Sequence, residues 1–174
     1  MLWRALLLAA LCACGYQPVY AAHPPRLHVV IVRSRVPDAV AVDEVASGLR
    51  EELARAGALQ DGQGYPRVEV EVLRADEASE GIAAGASGPV ARGTDVGVVA
   101  RAWIVPAEGA DRVSETGDVR AEESIAVDQA PGSAGDPRAS VFHVADARAA
   151  AARRLGRKLG ARVLGQPAAS EDTP

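Results

Sequence analysis

A two-layer α+β sandwich, about four strands with two helices packed on one face in the order β-α-β-β-β-α, is what this 174-residue sequence predicts. Three observations point there. Arg67-Val68-Glu69-Val70-Glu71-Val72 alternates strictly, the pattern of a strand with one dry and one wet face. Two stretches, 38–56 and 139–164, place their apolar residues on one arc at helical spacing. Glycine and proline clusters separate these segments into short elements. Stripes of this kind are buried together when an antiparallel sheet carries both helices on one side, and the β-α-β start requires a right-handed crossover.

Taken in order, Leu27 to Val32 is a continuous Val- and Ile-rich run, the pattern of a strand buried on both faces. Pro37-Asp38 starts a helix with Asp38 near the cap. Val42, Val45, Ala46, Leu49, Leu53 and Ala56 form its apolar arc, Glu51 and Arg55 are spaced to pair, and Gly57 supplies a left-handed stop. After the loop Asp61 to Gly64 comes the alternating strand, and Glu80 to Gly93, with four glycines and a proline, reads as a mobile loop or a long hairpin tip. Strand three places Val96, Val98, Ala100, Ala102 and Ile104 on one face, opposite Asp95, Arg101 and Trp103, until Pro106. A turn around Gly109 leads to strand four, Arg112 to Val127, bent near Gly117. The last helix, 139–164, gathers Val141, Ala145, Ala149, Ala152, Leu155, Leu159 and Val163 on a core stripe.

The domain so defined covers residues 27–165, followed by a small, polar tail, 166–174, expected to be disordered. Ahead of it, Arg4 and an apolar stretch lead to Leu11-Cys12-Ala13-Cys14, which resembles a bacterial lipobox. On that reading residues 1–13 are a signal peptide and Cys14 carries acyl chains, palmitate among them. Residues 14–26, with three prolines and no periodicity, are then an extended tether to the membrane. Each buried methylene contributes about 0.8 kcal/mol, so several chains anchor far more firmly than one. Gly15, in place of the Asp that resembles an inner-membrane retention signal, implies the outer membrane. Losing Arg4 takes the formal net charge from −4 to −5, which argues against a general nucleic-acid binder. Cys12 leaves with the leader and Cys14 is capped, so no thiol remains for a disulfide or a metal.

Motifs for catalysis are missing. His23, His28 and His143 show no metal-ligand spacing, Gly85-Ala86-Ser87-Gly88 departs from a nucleophile elbow, and Gly62-Gln63-Gly64 lacks the third glycine of a dinucleotide loop. The expectation is no enzyme, no catalytic residue, no metal and no cofactor. The paired carboxylates Glu69 with Glu71, and Glu122 with Glu123, fit solvated strand faces, although Glu69 and Glu71 could in principle face a substrate. Trp103 is either a contact anchor or packing at the sheet rim. Arg153, Arg154, Arg157, Lys158 and Arg162 fan over the last helix with Asp146 as its single acid. That fan is either a solvated face or, because like charges at i,i+4 repel, a surface for an anionic partner.

Cys14-Gly15-Tyr16-Gln17-Pro18-Val19-Tyr20 is similar to the Cys-Gly-aromatic-x-Pro-x-Tyr opening of the lipopolysaccharide-assembly lipoproteins, the LptE-type family of the outer membrane. The order of elements resembles that family along nearly the whole mature chain. The resemblance implies a non-enzymatic plug that helps a large β-barrel translocon of the LptD type to fold and binds lipopolysaccharide during export. The candidate contacts with the partner or lipopolysaccharide, taken from the residues' own pattern, are Trp103, Arg101, Arg153, Arg154, Arg157 and Lys158. The sequence departs from the family in lacking the Asn often found after strand one and in the last helix, and in its more basic Arg33-Ser34-Arg35 turn. The competing expectation is a periplasmic lipoprotein regulator docked on a cell-wall synthase or another envelope machine.

Overall fold

A computed structural model describes residues 25–85, 88–127 and 137–166. The elements are β1 (His28–Ser34), α1 (Ala39–Arg55), β2 (Arg67–Gly85), β3 (Gly88–Val105), β4 (Val119–Val127) and α2 (Pro137–Val163). The four strands form one mixed sheet in the order β1-β2-β3-β4, with β1 parallel to β2 and the other pairs antiparallel. This is the expected α+β order, β-α-β-β-β-α.

One apolar cluster closes one face of the sheet. Val68, Val70 and Val72 of β2 and Val98, Ala100 and Ala102 of β3 meet Leu49 and Leu53 of α1 and Leu155 and Leu159 of α2. Each such Leu contributes about 1.5–3 kcal/mol by leaving water. Both helix ends are built as the sequence indicates. Asp38 caps α1, accepting from the backbone N–H of Val40 at 3.0 Å and of Ala41 at 3.2 Å. Gly57, at φ 69°, turns the chain left-handed, so that its N–H reaches Ala54 and that of Ala58 reaches the Leu53 carbonyl. Gly165 ends α2 in the same way, with Gln166 donating to Ala161.

The helices run parallel and nearly touch backbone to backbone. A Cβ on Gly48 of α1 would sit 2.0 Å from the Arg153 carbonyl oxygen, and one on Gly156 of α2 would sit 2.1 Å from that of Val45. Glycine costs roughly 0.5–1 kcal/mol in a helix interior, so its presence at Gly48, Gly156 and Gly160 is explained by the approach it permits.

Several expectations are corrected. β1 is an edge strand, not one buried on both faces: a bulge at Val32 shifts its register between Ile31 and Arg33, and Val32 is 43% exposed. Residues 80–85 and 88–93 are ladder-paired backbone of a long β2–β3 hairpin, which excludes the open-loop alternative along those stretches. Strand four begins only at Val119. Val113 makes a single bridge to Ile104, and Gly117, at φ 66°, interrupts the segment before β4 resumes. Val141 and Ala145 are exposed instead of core, because α1 begins at Ala39, level with Arg148 of α2, and α2 overruns it. Arg55 pairs with Glu52 at 2.6 Å, and Glu51 turns to Arg153 and Arg157 of α2.

Candidate functional site: the arginine-lined outer face of the sheet

The sheet face turned away from the helices carries the polar members of the alternation, and they are not wet. Glu69 is 9% exposed and Glu71 is 4% exposed, which corrects the solvated-face reading of both. Glu69 lies cross-strand from Trp103 and accepts the indole Nε1–H at 2.9 Å. Arg67 donates to its other oxygen and stacks on Tyr65, 4.4 Å from the ring centroid. Arg112, from the segment after β3, lies 3.9 Å from the Trp103 ring centroid. That segment is held to β3 by Ile104–Val113 and Ala102–Thr116 hydrogen bonds. Trp103 is therefore 1% exposed packing beneath Arg112, and as such presents no surface to a partner.

Two residues along β2, Glu71 gathers a second cluster. It lies cross-strand from Arg101, which donates to it through Nε at 3.1 Å and Nη2 at 2.7 Å, while Arg35 approaches from the β1 side at 3.3 Å. The Arg101 hydrogen bond outweighs burial and, with the charges of Arg101, Arg35 and Arg33, holds the Glu71 carboxyl below the ordinary carboxylate range. Arg101 is correspondingly raised, first by the Glu71 hydrogen bond.

Beyond a bulge at Leu73 the strand parity reverses. Val72 pairs with Ala100, but Arg74 pairs with Val99, whose other neighbour is Arg120 of β4. Arg74 is thereby turned to the outer face. Asp76 pairs with Arg74 at 3.0 Å, whereas Arg120 pairs through its Nε with Glu122 and lies 3.9 Å from Asp76. Arg120 crosses β3 over Gly97, where a Cβ would come within 2.9 Å of its Nη2. Arg35, Arg74, Arg101 and Arg120, together with Leu73, Val99, Asp118 and Val119, line an open trough of about 500 Å³. The structure brings Arg101 into this site and adds Arg35, noted in the sequence only as part of a basic turn, and Arg74 and Arg120, which the sequence reading did not single out.

The cations of α2 are arranged differently. Arg153 pairs with Glu51 and, at 3.6 Å, with Glu44 of α1. Arg157 reaches Glu51 at 3.4 Å, and Arg154 reaches Glu123 at 2.7 Å and the Glu122 carbonyl at 3.0 Å. The acids missing from the helix itself are supplied by α1 and β4, so the repulsion that argued for an outside anion is answered within the fold. Arg153 is raised and Glu51 lowered, each first by their mutual hydrogen bond. Lys158 is half-buried. Cys14 lies outside the described residues.

Among the described residues, no group of His, Cys, Asp and Glu could hold a metal ion, and no helix is long and apolar enough to cross a membrane. His28 is buried on β1 and His143 exposed on α2.

No protein-family model and no curated protein matches the chain. Its fold is similar to that of a minor lipoprotein from Acinetobacter baumannii, with a TM-score of 0.50 at 9% identity over 82% of this chain and 93% of that one. Two further solved structures align less closely. Rare lipoprotein B from Shewanella oneidensis gives a TM-score of 0.44 at 13% identity over 71% of this chain and 89% of that one. A lipoprotein B from Nitrosomonas europaea gives 0.45 at 13% identity over 82% and 87%. At such identities the likeness is one of fold alone.

Proposed function

We propose that this protein is a lipid-anchored lipoprotein of the bacterial envelope, held in the outer membrane facing the periplasm through acylated Cys14. In this reading it helps assemble and plugs a lipopolysaccharide-translocating β-barrel of the LptD type and binds lipopolysaccharide on its way to the surface. It acts by binding, without catalysis. The observation that carries the reading is the arginine-lined trough, whose guanidiniums are paired with Glu71, Asp76 and Glu122 yet keep further N–H donors for an anionic group. The lipobox-like Leu11-Cys12-Ala13-Cys14 and a fold shared with a minor lipoprotein support it.

The test is purification of the full-length protein from detergent-solubilised envelopes after feeding a clickable fatty acid. The wild type takes up label, Cys14→Ser does not, and a heat-modifiable barrel and lipopolysaccharide co-purify. Export without label sinks the anchor. Recovery of a penicillin-binding enzyme in place of a barrel favours the regulator of cell-wall synthesis.

A further inference from the structure

The sheet has two edges, and they are finished differently. At β4 the Glu122 carbonyl accepts from Nη1 of Arg154 at 3.0 Å, so α2 caps a backbone group of that edge. At β1, among the described residues, only the first rung is closed: Leu27 donates to the Ala58 carbonyl at 2.7 Å and accepts from Gln60 at 3.0 Å. The next residue, His28, turns its N–H to Pro66 on the β2 side. Backbone groups alternate in direction along a strand, and the register with β2 is unbroken from His28 to Ile31. Val29 and Ile31 therefore aim N–H and C=O outward, where no hydrogen bond from a described residue reaches them. An edge of this kind is a template for another strand.

Its side chains state what that strand must carry. Val29 lies in the core cluster and Ile31 packs against it, so the helix side of the edge is apolar. Arg33 is matched with Glu71 in the parallel register and shares its outer face, which Arg35 also approaches. Residues 25–37 hold Arg26, Arg33 and Arg35 and no acid. Arg35 is engaged by Glu71, whereas Arg33 is exposed and forms no ion pair among the described residues.

We propose that the open edge of β1 is a strand-addition site for an extended segment of a partner protein. That segment alternates apolar residues on the helix side, against Val29 and Ile31, with acidic residues on the outer face, beside Arg33 and Arg35. Backbone hydrogen bonds hold it, and the alternating side chains select it. A second copy fits poorly, since pairing two β1 edges would bring two acid-free arginine runs together. The site goes beyond the proposed function and stands whether or not the protein binds lipopolysaccharide.

The experiment follows backbone amide exchange by NMR in the isotope-labelled, full-length protein in detergent micelles while a peptide is titrated. The probe is a short peptide alternating valine with glutamate. One control replaces glutamate by lysine; the other methylates the backbone nitrogens, which keeps the charge and removes the donors. The glutamate peptide should bind at least about tenfold more tightly than either control and should slow exchange at Val29 and Ile31, which exchange freely without it. Arg33→Gln should weaken that binding about threefold at an unchanged melting temperature. Equal binding of the methylated peptide, or binding that leaves exchange at Val29 and Ile31 unaltered, overturns strand addition. Equal binding of the lysine peptide overturns the acidic partner. Protection of both amides in the free protein overturns the open edge: lost on dilution, it assigns the edge to a second copy, and retained, to the chain's own residues. No binding by any peptide overturns the proposal.

Discussion

β2 and β3 present opposite faces built by the same alternation, and both faces exclude water by different means. On the helix side Val68, Val70, Val72, Ala100 and Ala102 are fully buried under two helices. On the other side Glu69 and Glu71 are almost as buried, yet among the described residues no helix or strand packs over them. Their cover is made of guanidiniums: Arg67, Arg101, Arg35 and, over the neighbouring Trp103, Arg112. The first face is dry through shape and non-directional. The second is directional, since each carboxylate keeps its place through specific N–H donors, and a buried carboxylate without them would cost several kcal/mol. Alternation therefore reports which side a residue points to, and leaves open how wet that side is.

If the helix side is closed by shape, the largest effects come from breaking it. Leu49→Asp places an unpaired carboxylate at a fully buried position and should unfold the domain, since a loss of about 3–5 kcal/mol compares with a total stability of roughly 5–15 kcal/mol. Thermal unfolding checks it, and a midpoint within a few degrees of wild type would remove Leu49 from the core. Next, Gly156→Ala drives a Cβ into the Val45 carbonyl, so the helices must separate. The expected loss is about 3 kcal/mol in chemical denaturation, whereas Gly109→Ala, at a turn with open space but φ 72°, should cost about 1 kcal/mol.

The outer face should respond more gently and in a directional way. Trp103→Phe keeps the ring beneath Arg112 but leaves Glu69 without the indole donor, for a loss of about 1.5–3 kcal/mol. Acid should weaken the domain on both sides of the sheet. Glu71, Glu51 and Asp38 all have folded-state pKa values below their unfolded ones. Arg101 acts first on Glu71 and Arg153 first on Glu51, while at Asp38 burial pushes up and is outweighed by the Ala41, Arg148 and Val40 hydrogen bonds. The stability they confer is fully present above the unfolded values, about pH 4–4.5, and is lost as pH falls through the lower folded ones. Glu71→Gln should flatten part of that decline in melting temperature between about pH 5 and pH 2; an unchanged slope would show that Glu71 contributes nothing to it.

How much of this was legible in sequence follows from how local each determinant is. Asp38, Gly57 and the alternation at Val68 to Val72 act within a few residues, and cap, stop and parity were read correctly. The bulges at Val32 and Leu73 are set by pairing with distant strands. An unbroken alternation would have sent Arg74 to the core beside Val72, and that impossibility was the available signal. Glycines inside two predicted helices were a similar clue to the close seam. Nothing local could show that Arg112 would cover Trp103, or that Glu44, Glu51 and Glu123 would answer the arginines of α2. The trough escaped notice because its arginines come from β2, β3, β4 and the residue that follows β1.

The division of labour between the two arginine sets is open to one direct comparison. Arg153→Gln with Arg157→Gln, and separately Arg74→Gln with Arg120→Gln, are expressed in full-length protein. Recovery of the barrel and of lipopolysaccharide from solubilised envelopes is then quantified beside each melting temperature. Loss of lipopolysaccharide from the sheet-face variant, at an unchanged melting temperature and with normal recovery in the α2 variant, is the predicted result. Normal recovery in the sheet-face variant, with loss confined to the α2 variant, would contradict it and return the contact surface to the last helix.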